Sequence, residues 1–336
     1  MRFDKRVAAT LVVLFVSFGS SGQVSGKKHF VYRKKYIMGT VFEIAAYGES
    51  SEQISIAMEK AFQEIVRIDD VMSNYKPGSA LSALNRSAQY HTEKVPPDLY
   101  RVIEQAIQFS KLSDGKFDIT VAPLVNLWKT ALSGDSMPSS GQLREAQACV
   151  GYEKIELTPP DHITFHSSCL QVDLGAIGKG YAVDRAAEVL VSLRIQDAFI
   201  NAGGSTIMAI GSPPGQAGWR VNLRDPSYTI DPYVMLKNES VSTSEQTPPS
   251  LLGRESAGHI INPSTGRPLE TQFAVTVIAP NGTMSDGFST TMLLLGPTQG
   301  KVLVRHTSNV SAIWLSPKAQ IETAMNGPQI FFGGKL

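Results

Sequence analysis

The stretch that most constrains this chain is Val172-Asp173-Leu174-Gly175-Ala176-Ile177-Gly178-Lys179-Gly180-Tyr181-Ala182-Val183-Asp184. Its pattern predicts a short apolar strand entering a loop and a helix leaving it. Val183, Ala187, Leu190 and Leu193 fall on one helical face at spacings of three and four. Glycines lack Cβ and let a ligand approach the backbone closely. A helix N-terminus adds free N–H groups and a partial positive charge. Together these make an anion site whose usual occupant is phosphate, and Lys179 would add a mobile cation. The plainer alternative is a tight turn with no ligand, and the stretch alone leaves both readings open. Gly175, Gly178 and Gly180 read G-x-x-G-x-G, not the dinucleotide G-x-G-x-x-G. Gly178-Lys179 is followed by Gly180 rather than Ser or Thr, so the stretch is not a P-loop.

A chain of 336 residues can bury a large core, as one large domain or two intertwined ones. Apolar residues at 42% and charged residues at 18% fit a globular protein rather than a disordered one. With 31 basic and 30 acidic side chains there is no basic excess to bind nucleic acid. The first residues differ from the rest. Arg2, Lys5 and Arg6 precede an apolar run from Val7 to Phe18, and Gly19, Ser20, Ser21 and Gly22 follow. That order is a secretory signal peptide, placing a cleaved leader at 1–22 and the functional domain at 23–336. The run is shorter than the roughly 20 apolar residues that span a bilayer, so no stable membrane span is expected. An uncleaved anchor is the alternative. The expected product is a soluble exported protein, periplasmic in location.

Export permits a disulfide. Cys149 and Cys169 each stand ten residues from Pro159. Lys154 to Leu157 and Ile163 to Phe165 read as the arms of a hairpin turning at Pro159-Pro160-Asp161. A paired ladder could bring the cysteines opposite each other; two thiols that never meet is the alternative, and spacing leaves both open.

Elsewhere, Val41 to Tyr47 alternates as a strand. Ser51 to Met72 carries a helical apolar stripe of Ile54, Met58, Ala61, Ile65 and Ile68. It ends in the turn cluster Ser73-Asn74-Tyr75-Lys76-Pro77-Gly78-Ser79. A second helix starts at Pro97-Asp98, read as its cap, and stops at Asp114-Gly115. After the glycine-rich unit, short strands alternate with turns: Ala198–Ile200, Thr206–Ile210, Trp219–Leu223, Tyr233–Leu236, Ser240–Thr243 and Phe273–Ala279. A helix opens around Met284-Ser285-Asp286 and runs to Gly296. A last helix, Thr298 to Arg305, and a strand, Val310 to Leu315, follow. The class is α+β with mostly antiparallel sheets and packed helices.

Asp286 and Thr290 lie four apart, on one helical face. A carboxylate and a hydroxyl are hard oxygen ligands suited to Mg²⁺ completed by carbonyls, water and phosphate oxygens. Against this, Ser285 or Asp286 as a helix cap with Thr290 in the core is the favoured reading from spacing alone. His259, one of six histidines, sits in a loop setting and suits a proton shuttle, although a surface histidine is the plainer reading. No zinc-spaced Cys/His cluster and no G-x-S-x-G elbow occurs.

Met38-Gly39-Thr40, Ser73-Asn74-Tyr75, Asp118-Ile119-Thr120-Val121-Ala122-Pro123-Leu124-Val125, Asp173 through Asp184, His259-Ile260-Ile261-Asn262-Pro263 and Asp286 through Thr290 occur in that order. In these residues the chain resembles the FAD:protein FMN transferases, the ApbE family, from about Tyr36 to Leu315. The resemblance implies a single large T-fold-like domain and a Mg²⁺-dependent enzyme that cleaves the diphosphate of FAD. FMN passes to a threonine hydroxyl of an acceptor flavoprotein subunit, and AMP leaves. It implies FAD contacts at Met38, Tyr75, Lys116, Phe117, Asp118, Asp173, Lys179 and His259. It implies a metal site of the Ala176 main-chain oxygen, Asp286 and Thr290. A base near the attacking hydroxyl is useful, with His259 the first candidate and Asp286 the second. FAD hydrolysis to FMN and AMP, or flavin binding without turnover, are the competing functions.

Overall fold

The computed structural model describes residues 28–133, 137–246 and 260–333. In chain order the strands are β1 (His29–Ile37), β2 (Thr40–Gly48), β3 (Glu93–Lys94), β4 (Ile155–Thr158), β5 (His162–Phe165), β6 (Asp197–Ala202), β7 (Thr206–Ile210) and β8 (Trp219–Asn222). They continue as β9 (Pro232–Leu236), β10 (Glu239–Glu245), β11 (Ile261–Asn262), β12 (Arg267–Pro268), β13 (Ala274–Ala279), β14 (Val310–Leu315), β15 (Ile321–Asn326) and β16 (Phe331–Phe332). The helices are α1 (Ser51–Met72), α2 (Ala80–Ser87), α3 (Pro97–Leu112), α4 (Ala122–Ser133), α5 (Ser140–Cys149), α6 (Gly178–Ser192) and α7 (Gly282–Arg305).

One antiparallel sheet, ordered β1-β2-β6-β7-β10-β13-β14-β15, forms the frame. Strand side chains alternate between faces. Phe42, Ile44 and Ala46 of β2, with Val275, Val277 and Ala279 of β13, therefore enter one core with α1, α3, α6 and α7. Ala45, Ile207, Val241 and Ile278 point to the other face, under Trp219, Val221, Val234 and Leu236 of the small β16-β9-β8 sheet. Because both faces are covered, β13 is buried at every position and is apolar throughout except for Thr276. The expected α+β class with mostly antiparallel strands is the observed architecture.

Helix α1 has the expected bounds, and Ser50 caps it by accepting from Gln53 N at 3.1 Å. The expected cap of α3 is not there. Pro97 is the first helical residue after Pro96, which makes no side-chain cap bond. Asp98 instead turns inward: it accepts from Tyr181 Oη at 2.6 Å and pairs with Arg67 at 2.8 Å. Arg185 of α6 reaches Glu64 of α1 at 3.1 Å, so ion pairs tie α1, α3 and α6 together. Helix α7 begins two residues before Met284 and kinks at Gly296 (φ 70°) before Pro297, which separates the two helices expected there.

The hairpin between the cysteines is β4–β5, joined through Pro159-Pro160, and Cys149 and Cys169 are disulfide-bonded with Cα atoms 5.2 Å apart. Closing a loop of this size stabilises a fold by about 3 kcal/mol. Replacing both cysteines with alanine is therefore expected to lower unfolding free energy by about that amount in a denaturant titration. Two free thiols in the native chain by alkylation would contradict the bond.

Candidate functional site

The glycine-rich run is not preceded by a strand. Its entry makes one bridge, Gln171 to Val121, and is otherwise pinned by side chains and turns. Asn85 of α2 holds Val172 from both sides: Val172 N donates to Asn85 Oδ1 at 2.8 Å, and Asn85 Nδ2 donates to Val172 O at 2.9 Å. Asp173 N donates to Ile119 O at 2.7 Å, and Asp173 Oδ1 accepts from Gly175 N at 2.7 Å. Leu174 O accepts from Ile177 N and Gly178 N, turning the chain through Ala176 into α6.

No side chain caps α6 at its start. Instead, Gly180 N donates to Asp286 Oδ2 of α7 at 2.9 Å. A Cβ on Gly180 would lie 2.1 Å from Gly282 O and 2.7 Å from Asp286 Cβ, so only glycine lets the two helices meet here. The arrangement is reciprocal. Asp184 of α6 accepts from Gly282 N at 2.5 Å and from Thr283 N at 2.8 Å at the start of α7. Each carboxylate lies against the positive end of the other helix.

Asp286 is 5% exposed. Burial pushes its carboxyl above the usual range, while the Lys179 charge, the Gly180 N–H and the Thr206 hydroxyl draw it back. Its own helix is capped by Asn281, whose Oδ1 accepts from Met284 N at 2.9 Å. Asp286 and Ser285 thus lie a full turn inside α7, and the reading of either as the cap fails. Thr290, one turn further on, is 8% exposed, and its hydroxyl meets Ser244 Oγ at 3.1 Å.

The other expected site residues are placed as follows. Met38 (φ 53°) makes the β1–β2 turn, and its Cε lies 4.0 Å from where a Cβ on Gly178 would stand. Lys179 lies beside Gly175 and Asp286. Asp118 is turned inward: Oδ1 accepts from Thr120 N and Oγ1 at 2.8 and 2.7 Å, and Oδ2 from Tyr152 N at 3.0 Å. Burial raises its pKa, against those bonds. Phe117 is core, packed on Phe109. Lys116 Nζ donates to Ser264 Oγ at 3.2 Å. Tyr75 is 82% exposed, with Lys129 Nζ 5.2 Å over its ring. His259 lies outside the described residues. Contacts thus gather Met38, Asp173, Lys179 and Asp286 around the start of α6, with Ala176 in the turn that enters it and Thr290 one turn beyond Asp286 on α7. Asp118 and Phe117 belong to the buried segment whose Ile119 carbonyl holds Asp173 N, while Tyr75 meets Lys129 and Lys116 meets Ser264.

Sequence reasoning missed Asn85, Thr206 and Ser244. Nothing in the sequence marks Asn85. Ser240, Ser242 and Ser244, however, alternate along β10 where apolar residues would face a helix, and that anomaly is a signal.

Among the described residues no cluster of three or more His, Cys, Asp or Glu could hold a metal. One buried carboxylate with neutral oxygens nearby fits Mg²⁺, which binds through one or two carboxylates and substrate phosphates rather than in an all-protein cage. Nor is any helix among these residues long and apolar enough to cross a membrane.

The ApbE family profile matches residues 38–314. An FAD:protein FMN transferase of Haemophilus influenzae is 33% identical over 296 residues, covering 83% of this chain and 84% of its own. One from Treponema pallidum is 27% identical over 335 residues, covering 94% and 92%. Among solved structures, the flavin transferase ApbE from Vibrio cholerae matches with TM-score 0.75 and 25% identity over 91% of this chain and 97% of its own. The apo flavinyl transferase ApbE of Pseudomonas stutzeri matches with TM-score 0.76 and 25% identity, over 90% and 96%.

Proposed function

This chain belongs to the ApbE family and moves FMN from FAD onto an acceptor protein, and we propose that it does so with Mg²⁺, onto a threonine hydroxyl, releasing AMP. The observation that carries the proposal is Asp286, a buried carboxylate held at the glycine-rich start of α6 and one turn from Thr290. The glycine-rich helix start, Lys179 beside it and the buried Asp286 oxygen together support this reading.

The N-terminal N–H groups of α6 and the Lys179 ammonium bind and orient the diphosphate. Asp286, Thr290 and the Ala176 carbonyl would hold Mg²⁺, which when bound neutralises phosphate charge and makes phosphorus more electrophilic. The threonine oxygen forms a bond to the phosphorus of the FMN half. The bond from that phosphorus to the bridging oxygen breaks, and AMP carries the oxygen away. The hydroxyl proton passes to a base, for which His259 is the first candidate and Asp286 the second. Positioning does most of the work in such a transfer. Met38, Tyr75, Lys116, Phe117, Asp118 and Asp173 are assigned to the flavin and adenosine ends of FAD, as direct contacts or as the frame behind them.

Incubating the chain with FAD, Mg²⁺ and a flavoprotein acceptor tests this. Covalent flavin on the acceptor with stoichiometric AMP is expected. Free FMN would mean hydrolysis, and unchanged FAD would mean a carrier. We also place the domain at 23–336, exported to the periplasm after loss of 1–22. Mass spectrometry of the exported chain is expected to show that loss, and an intact Met1 there would refute it.

A further inference from the structure

The helix side of β10 carries hydroxyls where the adjacent β13 carries Ala279, Val277 and Val275, and these hydroxyls are ordered. Ser289 of α7, fully buried, donates from Oγ to the Asp286 carbonyl at 2.9 Å. Ser244 Oγ lies 2.8 Å from Ser289 Oγ and 3.1 Å from Thr290 Oγ1. A carbonyl only accepts, and each hydroxyl has one proton. Ser289 has spent its proton on Asp286, so in its bond with Ser244 it accepts. Ser244 has then spent its own proton on Ser289, so from Thr290 it accepts. Thr290 must therefore be the donor. Its proton is fixed toward β10, and the lone pairs of Oγ1 are directed away from Ser244. A hydroxyl held this way is pre-set as an oxygen ligand.

We infer that Ser244 is a positioning residue that orients the Thr290 hydroxyl for the metal. This rests on the assignment of Asp286 and Thr290 as the metal pair. The geometry suits the role. Ser244 sits on a strand paired to β13, where Ser244 lies opposite Val275, so its Oγ is fixed by the main sheet rather than by a loop. The same chain ends on the main-chain carbonyl of Asp286, so one run of bonds ties both proposed ligands together. Partners that orient a metal ligand are worth about 10- to 100-fold in metal affinity.

The test titrates Mn²⁺ alone, as a paramagnetic substitute for Mg²⁺, into the full chain and reads free Mn²⁺ by electron paramagnetic resonance. Ser244→Ala is expected to weaken binding about tenfold. In a Thr290→Val background the same change should cost nothing further, because its effect runs through the Thr290 hydroxyl. Ser289→Ala frees the Ser244 proton and lets the Thr290 bond run either way, so a severalfold loss is expected. That variant carries the test should Ser244→Ala not fold. Unchanged Mn²⁺ affinity in Ser244→Ala or in a folded Ser289→Ala, or an equal loss with and without Thr290, overturns the role of Ser244 and leaves the metal assignment standing. Unchanged affinity in Thr290→Val removes the metal assignment, and this inference with it.

Discussion

Replacing Asp286 with alanine is expected to slow FMN transfer by about a thousandfold or more at saturating Mg²⁺, while the chain stays folded and still binds FAD. Charge builds on phosphoryl oxygens and on departing AMP in the transition state, and a fixed ion acts there with no reorganisation. Losing several kcal/mol of that stabilisation corresponds to about a thousandfold or more in rate. The fold should tolerate the change. Burial already disfavours the ionised carboxylate, and what is lost is the acceptor for Gly180 N–H and for the Thr206 hydroxyl. That loss costs about 1–3 kcal/mol. Asp286→Asn separates the two effects, since the amide oxygen still accepts from Gly180 while the charge is gone. Its turnover should fall as far as that of the alanine variant, with a smaller loss of stability. Thr290→Val removes one neutral oxygen and should cost less than either. Flavin incorporated per minute, with thermal unfolding and FAD fluorescence alongside, reads all three. Near-normal transfer by Asp286→Ala would mean that the carboxylate serves only the start of α6.

Gly180→Ala is expected to damage fold and activity together. The added methyl would lie 2.1 Å from the Gly282 carbonyl oxygen and 2.6 Å from its carbon, against backbone that has no rotamer to move. Relief requires α7 to shift away from α6, and overpacking of this kind costs about 1–3 kcal/mol, occasionally more. The shift also lengthens the bond from Gly180 N to Asp286. Activity should therefore fall even at temperatures where the variant is folded. Gly78→Ala is the control: its φ is ordinary and nothing lies within 4 Å of the new methyl, so both stability and turnover should hold. Equal behaviour of the two variants in thermal unfolding and in FMN transfer would show that the α6–α7 contact is not tight.

The parts of the fold that the sequence made legible are those where one physical pattern dominates. Helix α1 has a long apolar stripe and a serine cap, and β7 and β14 are bounded by turns. Strand β1 was harder to read, because an edge strand exposed on both faces shows no alternation. Helix α5 carried a usable signal, the Ser139–Gln142 capping box. The glycine-rich run misled in one respect. Apolar Val172 looks like the end of a strand, yet a single asparagine, Asn85, does the work of a ladder there. For the site, spacing placed Asp286 and Thr290 on one face but favoured a cap. Asn281 could not be preferred over Ser285 without knowing where α7 begins. The meeting of Asp286 with Gly180, 106 residues apart, depends on helix packing that no local pattern encodes.

The most direct measurement is diffraction from crystals grown with Mn²⁺ and FAD, collected at the manganese absorption edge to locate the ion. The account predicts one anomalous peak in contact with Asp286, Thr290 and the Ala176 carbonyl, beside the FAD diphosphate at the start of α6. An ion bound elsewhere, with the Asp286–Gly180 bond undisturbed and the diphosphate away from α6, would contradict it.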